Sequence, residues 1–376
     1  MRAWLLGLVV LVATGATAAA ATRQPAYAES DLLSGAALAL ASSEIPIDLP
    51  TADEAVALDA EMEAFVKPLK AIRDPRQRLQ ALIDALEARG MFSLDYAEVT
   101  RTARSTFHDR QGNCLSFTML FVTLARAAGL QAYYQSVVVP PTWSNDGQVV
   151  VASHVNTAVV TGRGDETVVD FNIRQYQSEH RSRRVSDSYA LALFYTNLGA
   201  EAMLQEDHAA ALVYLRESAR VRPDIAGVWN DLGVLYARHG RYEHAEAAYL
   251  RALDVDHDEP SAMSNLGLVY EALGEPQLAA EYNERVQRYR ERNPYYHFAS
   301  ATKAYEEQQF EAALASLRKA LRLKPDEQEF YVLRGQVQTA LGKSRDATAS
   351  FERARAYGEA AEVRKRSPVE FGDGLR

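Results

Sequence analysis

The chain has 376 residues, a formal net charge of −9, and apolar and charged fractions of 48% and 24%, which allow two or more domains with hydrophobic cores. The negative charge argues against nucleic acid as the main partner, because binding to phosphates requires a basic face. The eight histidines are scattered and there is one cysteine, so we expect no metal site and no cofactor.

Residues 1–28 are predicted to be a cleaved secretory signal. A basic start at Met1-Arg2 precedes the apolar run Leu5–Val12, and small residues follow at Ala16–Ala21. Ala26-Tyr27-Ala28 is a second candidate cleavage site. An uncleaved membrane anchor is the alternative, but the apolar run is short for a span and no later stretch is apolar enough. We therefore expect an exported protein, in a bacterial periplasm or secreted, without a membrane span after signal removal.

Residues 29–185 are predicted to form the first domain, which begins with helices. Thr51-Ala52-Asp53-Glu54 is a capping-box pattern that predicts the start of one helix. Asp74-Pro75 predicts the start of another, which Gly90 ends. We assign these helices to packing and expect no chemistry from them.

The only cysteine, Cys114, directly follows a Gly-Asn turn and directly precedes an apolar helical pattern that Gly129 ends. It therefore falls in the first turn of a largely buried helix. A helix N-terminus favours thiolate over thiol, and its unpaired N–H groups can receive an oxyanion. The alternative is a small buried hydrophobic residue that happens to be cysteine.

Export helps to decide whether Cys114 is a nucleophile or a buried hydrophobic residue, since exported proteins that use cysteine structurally carry cysteines in pairs. Cys114 is unpaired in this sequence and is exposed to oxidation if it has no role. The single thiol therefore favours a nucleophile.

Strand-like patterns follow the cysteine helix. Three segments, Gln131–Val139, Gln148–Val160 and Glu166–Ile173, are rich in valine, threonine and tyrosine and predict an antiparallel sheet. The second carries His154 and the third carries Asp170. The arginine-rich run 174–184 is predicted to be a solvated loop that leaves the domain; the alternative is a basic segment that contacts an anionic surface.

This order of residues suits nucleophilic catalysis. A thiolate attacks an acyl carbon, histidine transfers the proton, and a carboxylate fixes the imidazole tautomer. His154 and Asp170 can meet if their strands are adjacent and in register. Taken singly, each is more simply an ordinary strand or turn residue.

The motif Gly112-Asn113-Cys114, the helix 117–129, His154 and Val169-Asp170-Phe171 together resemble a transglutaminase-like domain, the papain-related core of eukaryotic transglutaminases and many bacterial proteins. The resemblance covers roughly residues 75–175. It implies a catalytic triad of Cys114, His154 and Asp170, and an α+β papain-like fold.

Some residues depart from the family pattern. The histidine is often followed by an aromatic residue in a His-Ala-Trp-like run, but here Val155 and Asn156 follow His154. Eukaryotic members use an upstream tryptophan near the oxyanion, whereas the only tryptophan before the cysteine is Trp4. Gln111 or the Cys114 backbone N–H is the candidate replacement. No acidic loop matches the calcium sites of some members.

His108, close to the cysteine in sequence, is a rival base that we expect to lie in the approach loop.

The second half of the chain repeats every 34 residues. Gly199, Gly233, Gly267, Ala301 and Gly335 are each 34 residues apart, and an alanine series starting at Ala211 keeps the same step. Trp229–Tyr236 reproduces the opening of a tetratricopeptide repeat. The pattern resembles five such repeats in an all-α solenoid over residues 186–361, followed by a flexible tail at 362–376.

We interpret the chain as an exported thiol enzyme, a cysteine hydrolase or acyl transferase acting on amide bonds, whose repeats bind a protein or peptide on their concave face. The alternative is an interaction scaffold with an inactive transglutaminase-like domain. For the repeats, the alternative to partner binding is a structural extension that shields or positions the first domain. The sequence does not identify the substrate or the partner.

Overall fold

The computed structural model describes residues 26–38, 49–89, 99–138, 142–143, 149–150, 153–162, 165–171 and 182–364. Most of the predicted signal, the arginine-rich run up to residue 181 and the predicted tail from residue 365 onward lie outside the described residues. Among the described residues, no helix combines the length and apolar character needed to cross a membrane.

In the part of the chain that the structure describes, six helices precede the sheet. Thr51 and Glu54 form the predicted capping box, and Asp74 caps the helix that begins with Pro75. The helices are α1 (Glu29–Ser34), α2 (Ala52–Ala55), α3 (Ala60–Val66), α4 (Pro75–Ala88), α5 (Ala103–Asp109) and α6 (Cys114–Ala127), with short 3₁₀ turns at Ala36–Leu38 and Lys67–Ala71.

Among the described residues, a four-stranded antiparallel sheet follows, and its strands lie in the order Glu166–Val169, Ser153–Val160, Gln131–Val138, Ser182–Val185. One strand was not predicted, because its arginines read as a solvated loop: Ser182–Val185 pairs with the first strand and leaves Arg183 and Arg184 exposed. The strands are β1 (Gln131–Val138), β4 (Ser153–Val160), β5 (Glu166–Val169) and β6 (Ser182–Val185), and β2 (Thr142–Trp143) and β3 (Val149–Val150) form a separate ribbon.

The first core lies between α6 and the sheet. Phe121 and Leu124 of α6 are fully buried and share one cluster with Val155 and Val159 of β4. Alternate residues of β4 therefore face the helix, and the strand is held by its apolar side. This helix-on-sheet packing confirms the predicted α+β class.

Residues 187–364 form five helix pairs, in agreement with the predicted all-α solenoid. The repeated glycines let paired helices approach closely: a Cβ on Gly233 would lie 2.4 Å from the ring of Tyr249. The pairs are α7 (Asp187–Leu204) with α8 (His208–Val221), α9 (Ala226–Arg238) with α10 (Tyr242–Val255), α11 (Pro260–Ala272) with α12 (Pro276–Arg292), α13 (Pro294–Glu306) with α14 (Phe310–Leu323), and α15 (Gln328–Ala340) with α16 (Ser344–Arg364).

The segment around α1 packs against the repeats, although the sequence analysis grouped it with the first domain. Leu32 is 1% exposed and belongs to the core of the repeat helices. Its backbone carbonyl accepts a hydrogen bond of 2.7 Å from the Tyr236 hydroxyl, and the Ala37 carbonyl accepts one of 2.8 Å from Arg241 Nε. This segment therefore acts as a strap across the first repeats.

Candidate active site

Cys114 is the first residue of α6 and is partly exposed. The preceding Asn113 caps the helix, since its Oδ1 accepts from the backbone N–H of Ser116 at 3.0 Å. Because the first N–H groups of a helix have no intrahelical acceptor, the thiol lies beside donors that suit a negative charge. The predicted placement of the cysteine at a helix start is confirmed.

The loop before Cys114 is fixed by its neighbours. Asn113 Nδ2 donates to Thr100 Oγ1 at 2.7 Å, and the Asn113 backbone N–H donates to the Val99 carbonyl at 3.1 Å. Gly112 is required by close packing, because a Cβ there would lie 2.7 Å from the Ser116 Cβ. The Gly-Asn pair thus sets both the turn and the cap.

His154 and Asp170 are hydrogen bonded to each other. The distance from His154 Nε2 to Asp170 Oδ2 is 2.7 Å, and the two residues are 1% and 7% exposed. His154 lies on β4, and Asp170 directly follows β5, where Val169 is opposite Thr157. The register of these adjacent strands brings together two residues that are 16 positions apart.

The environment of His154 favours its charged form. Burial lowers the pKa of this imidazole, but its hydrogen bond to Asp170 and the nearby Cys114 side chain, together with the charges of both, raise its pKa to about 9. Nδ1 has no close hydrogen-bond partner in the described part of the chain. Since Nε2 is bonded to Asp170, Nδ1 is the nitrogen left for the sulfur.

Thr118 links the cysteine helix to the histidine strand. Its buried hydroxyl lies 2.8 Å from the carbonyl oxygen of Cys114 and 3.0 Å from that of Val155, and it can donate to either. Thr118 lies one turn after the cysteine, and Val155 is next to His154. The hydroxyl therefore fixes the distance between the two elements that carry thiol and imidazole.

The structure places the remaining candidates as follows. Gln111 is exposed in the loop three residues before Cys114, and its oxyanion role stays a prediction. His108 is on helix α5 rather than in a loop, and its Nε2 lies 2.6 Å from Asp59 Oδ2. The expected loop position was wrong, because Thr102 caps a short helix there.

Sequence reasoning missed Asn156, whose Nδ2 donates to Asp170 Oδ2 at 2.8 Å. It lies two residues after His154 on the same strand, so the alternation of a strand places both on one face. That spacing was the available signal. Among the described residues, no group of His, Cys, Asp and Glu side chains is arranged to hold a metal ion.

Comparison with known families agrees with this architecture. A profile of the transglutaminase-like superfamily matches residues 63–177. Two tetratricopeptide-repeat profiles match residues 224–292 and 298–364.

Individual relatives align over parts of the chain. The chain is 24% identical to anaphase-promoting complex subunit 3 of Schizosaccharomyces pombe over 42% of its own length and 24% of that protein. It is 30% identical to the photosystem I assembly protein Ycf3 of Prochlorococcus marinus over 24% of its length and 54% of that protein. The chain thus spans about a quarter to a half of these curated relatives.

Solved structures with some similarity include a crystal structure of MamA, with 17% identity, a TM-score of 0.26, and coverage of 48% of this chain and 98% of that one. Another is the crystal structure of YrrB, a TPR protein, with 18% identity, a TM-score of 0.26, and coverage of 47% of this chain and 92% of that one. From the family profiles and the fold together, the chain carries a domain of the transglutaminase-like superfamily followed by tetratricopeptide repeats.

Proposed function

We propose that this protein is a thiol enzyme acting on amide bonds, with Cys114 as nucleophile, His154 as proton carrier and Asp170 as the carboxylate that orients the imidazole. The observation that carries the proposal is the buried 2.7 Å hydrogen bond between His154 and Asp170; the Cys114 side chain is near enough to contribute to the raised pKa of the same imidazole. These are the relations that nucleophilic thiol catalysis requires.

The reaction starts with attack of the Cys114 sulfur on the carbonyl carbon of an amide. The charge that develops on the carbonyl oxygen is received by backbone N–H groups at the start of α6, with Gln111 as a candidate further donor. His154, which carries the proton, donates it to the departing amine nitrogen as the carbon–nitrogen bond breaks. An acyl group on the Cys114 sulfur and a free amine result.

The acyl group is then transferred to water or to a second amine. His154 takes a proton from the incoming molecule as it attacks, and the Cys114 thiolate leaves the acyl carbon, which restores the starting protonation state. Hydrolysis and acyl transfer share every protein group in this scheme and differ only in the acceptor, so one site supports either reaction.

The repeats bind a protein or peptide partner in this proposal. A cavity of about 530 Å³ runs along the first helices of three successive pairs, α7, α9 and α11. Its lining includes Asn197, Asn230 and Asp231, and Asn265 donates to Asn230 Oδ1 at 3.0 Å. Side-chain amides present both donors and acceptors, which suits an extended peptide backbone. Stacked helical repeats provide extended concave binding surfaces in general.

Export is the third part of the proposal. It rests on the signal-like pattern of residues 1–28 and on the presence of one cysteine in 376 residues. Fractionation of cells that produce the full chain, followed by N-terminal sequencing of the exported form, tests it. Retention of the full-length chain in the cytosol would contradict it.

The catalytic part is tested with the single thiol and with a set of amide substrates. Iodoacetamide labelling of Cys114 is followed against pH in the wild-type protein and in His154→Ala, and release of ammonia or amine is measured with glutamine-containing peptides and cell-wall peptides. We expect the labelling rate to depend on His154, and we expect Cys114→Ala to abolish turnover. Cys114→Ala should cost little stability, because the change is small and near a helix end.

Two outcomes would contradict this assignment. Turnover retained in Cys114→Ala would exclude the thiol mechanism. Labelling that is indifferent to His154, in a protein that turns over none of the substrates, would favour the alternative of an interaction scaffold with an inactive domain.

A further inference from the structure

Asn156 is a fully buried amide beside the candidate triad. It is 0% exposed and lies on β4 two residues after His154. Its Nδ2 donates to Asp170 Oδ2 at 2.8 Å, and that same oxygen lies 2.7 Å from His154 Nε2. One carboxylate oxygen is therefore held between two donors from one strand.

An amide at position 156 is energetically unfavourable if its role is packing alone. Its Oδ1 has no hydrogen-bond partner within the part of the chain that the structure describes, and a buried polar atom without a partner is unfavourable. A leucine at this position would have a similar size without that cost. The bond that the amide does make, to Asp170, is the one that distinguishes it from an apolar residue.

The geometry also fixes the orientation of the amide. Asp170 offers an acceptor, so the nitrogen rather than the oxygen of Asn156 must face it. The amide is a donor at every pH and carries no charge. Its bond to the carboxylate is therefore available whether or not His154 is protonated, while the amide still senses the charge on the imidazole.

We propose that Asn156 is a positioning residue that fixes the carboxylate of Asp170 so that Oδ2 faces His154 Nε2. The last torsion of an aspartate is broad, so each donor that bonds the carboxylate narrows its rotation. A second donor on a paired strand restricts that rotation. The inference rests on the proposed triad and adds to it a residue that does not touch the substrate.

The chain offers a matched control on the same strand. Thr157 is also 0% exposed, and its Oγ1 has no partner among the described residues. It lies opposite Val169 rather than Asp170. Thr157→Val therefore removes a neighbouring buried polar atom without touching the carboxylate.

The experiment measures His154 directly. The titration of its imidazole is followed by NMR in protein with labelled histidine, and the rate of Cys114 alkylation is followed at pH 7, in wild type, Asn156→Leu and Thr157→Val. We expect Asn156→Leu to lower the titration midpoint of His154 by about one pH unit and the alkylation rate by about tenfold. We expect Thr157→Val to leave both unchanged.

A folded Asn156→Leu protein with the wild-type titration and alkylation rate would overturn the inference, as would equal effects of Thr157→Val. If Asn156→Leu does not fold, the wild-type protein decides the question. In protein with labelled asparagine, the side-chain amide signal of Asn156 should shift as His154 titrates. A signal that stays constant through that titration would overturn the inference.

These readouts separate the inference from the proposed function. Neither the imidazole titration nor the amide signal requires a substrate. If no amide is turned over, the catalytic proposal fails, while the response of His154 to Asn156→Leu still decides whether Asn156 positions Asp170.

Discussion

The carboxylate of Glu201 accepts a hydrogen bond from the backbone N–H of Thr100 at 2.8 Å. Glu201 belongs to α7, the first helix of the repeats, and the side chain of Thr100 accepts from Asn113, the cap of the cysteine helix. A chain of two hydrogen bonds thus connects the repeats to the residue before Cys114. The two parts of the protein are joined at the candidate active site itself.

Replacing Glu201 should weaken this connection. Thr100 is 5% exposed, so Glu201→Ala leaves a buried N–H without an acceptor, and we expect a loss of about 1–3 kcal/mol in the free energy of unfolding. Urea unfolding measures this loss. The rate of Cys114 alkylation should also fall in Glu201→Ala, because Thr100 is bonded to the residue before Cys114. Glu201→Gln keeps an acceptor oxygen and is the matched control. Equal stability of the two variants would show that the bond contributes nothing.

The protonated His154 should make stability depend on pH. Burial lowers its pKa, while the bond to Asp170, the thiol of Cys114 and both charges raise it to about 9, above the ordinary value for an unfolded chain of about 6.5. The folded state therefore binds the proton more tightly between these values. The stabilisation is fully present below about pH 6.5 and is lost as the pH rises through about 9.

Urea unfolding at a series of pH values measures this dependence. We expect the free energy of unfolding to fall by up to about 3 kcal/mol across that window. The fall should disappear in His154→Ala. A wild-type profile that is flat between pH 6.5 and 9, or that rises, would contradict the assignment of a protonated imidazole.

Asp170→Asn should impair turnover through His154. The amide keeps the size of the side chain but cannot stabilise the imidazolium by charge, so we expect roughly a 10²–10⁴-fold loss of turnover. Ammonia release from an amide substrate measures it. His108→Ala is the control, because His108 is hydrogen bonded to Asp59, the N-cap of α3, and its replacement should leave turnover unchanged. A larger effect of the His108 variant would assign the base to that residue.

Two glycines of one helix should respond oppositely to alanine. A Cβ on Gly233 would lie 2.4 Å from the ring of Tyr249, which is 2% exposed and cannot move aside, whereas a Cβ on Gly227 meets nothing within 4 Å. We expect Gly233→Ala to destabilise the repeats by about 1–3 kcal/mol. Gly227→Ala should stabilise them by up to about 1 kcal/mol. Thermal unfolding followed by circular dichroism compares the stability of the two variants. Stability changes of the same sign would contradict the close packing of Gly233 against Tyr249.

The strap around α1 should stabilise the first repeats. Leu32→Ala removes a side chain that is 1% exposed, and we expect a loss of about 2–5 kcal/mol in the free energy of unfolding. Leu33→Ala, at a partly buried neighbour, should cost less. Tyr236→Phe removes the donor to the Leu32 carbonyl and should increase proteolysis near residue 32. A Leu32→Ala protein with wild-type stability would show that the strap does not stabilise the first repeats.

The sequence by itself determined the elements that depend on local patterns. The 34-residue step from Gly199 to Gly335 predicts the helix pairs, because the small residue is required wherever two paired helices approach closely. The Gly-Asn pair before the apolar run predicts the start of the cysteine helix, since Asn113 supplies the cap. The helix cap and the repeat step each connect residues that are a few positions, or one repeat, apart in the sequence.

Only the tertiary structure decided the relations between distant segments. The register of β4 against β5 brings Asp170 to His154 and Asn156, and a shift by one residue would turn these side chains to the other face. The contacts of Glu201 with Thr100 and of Leu32 with Tyr236 join segments 101 and 204 residues apart. Periodicity identifies which residues are buried or capped, but it carries no information on which distant surface covers them.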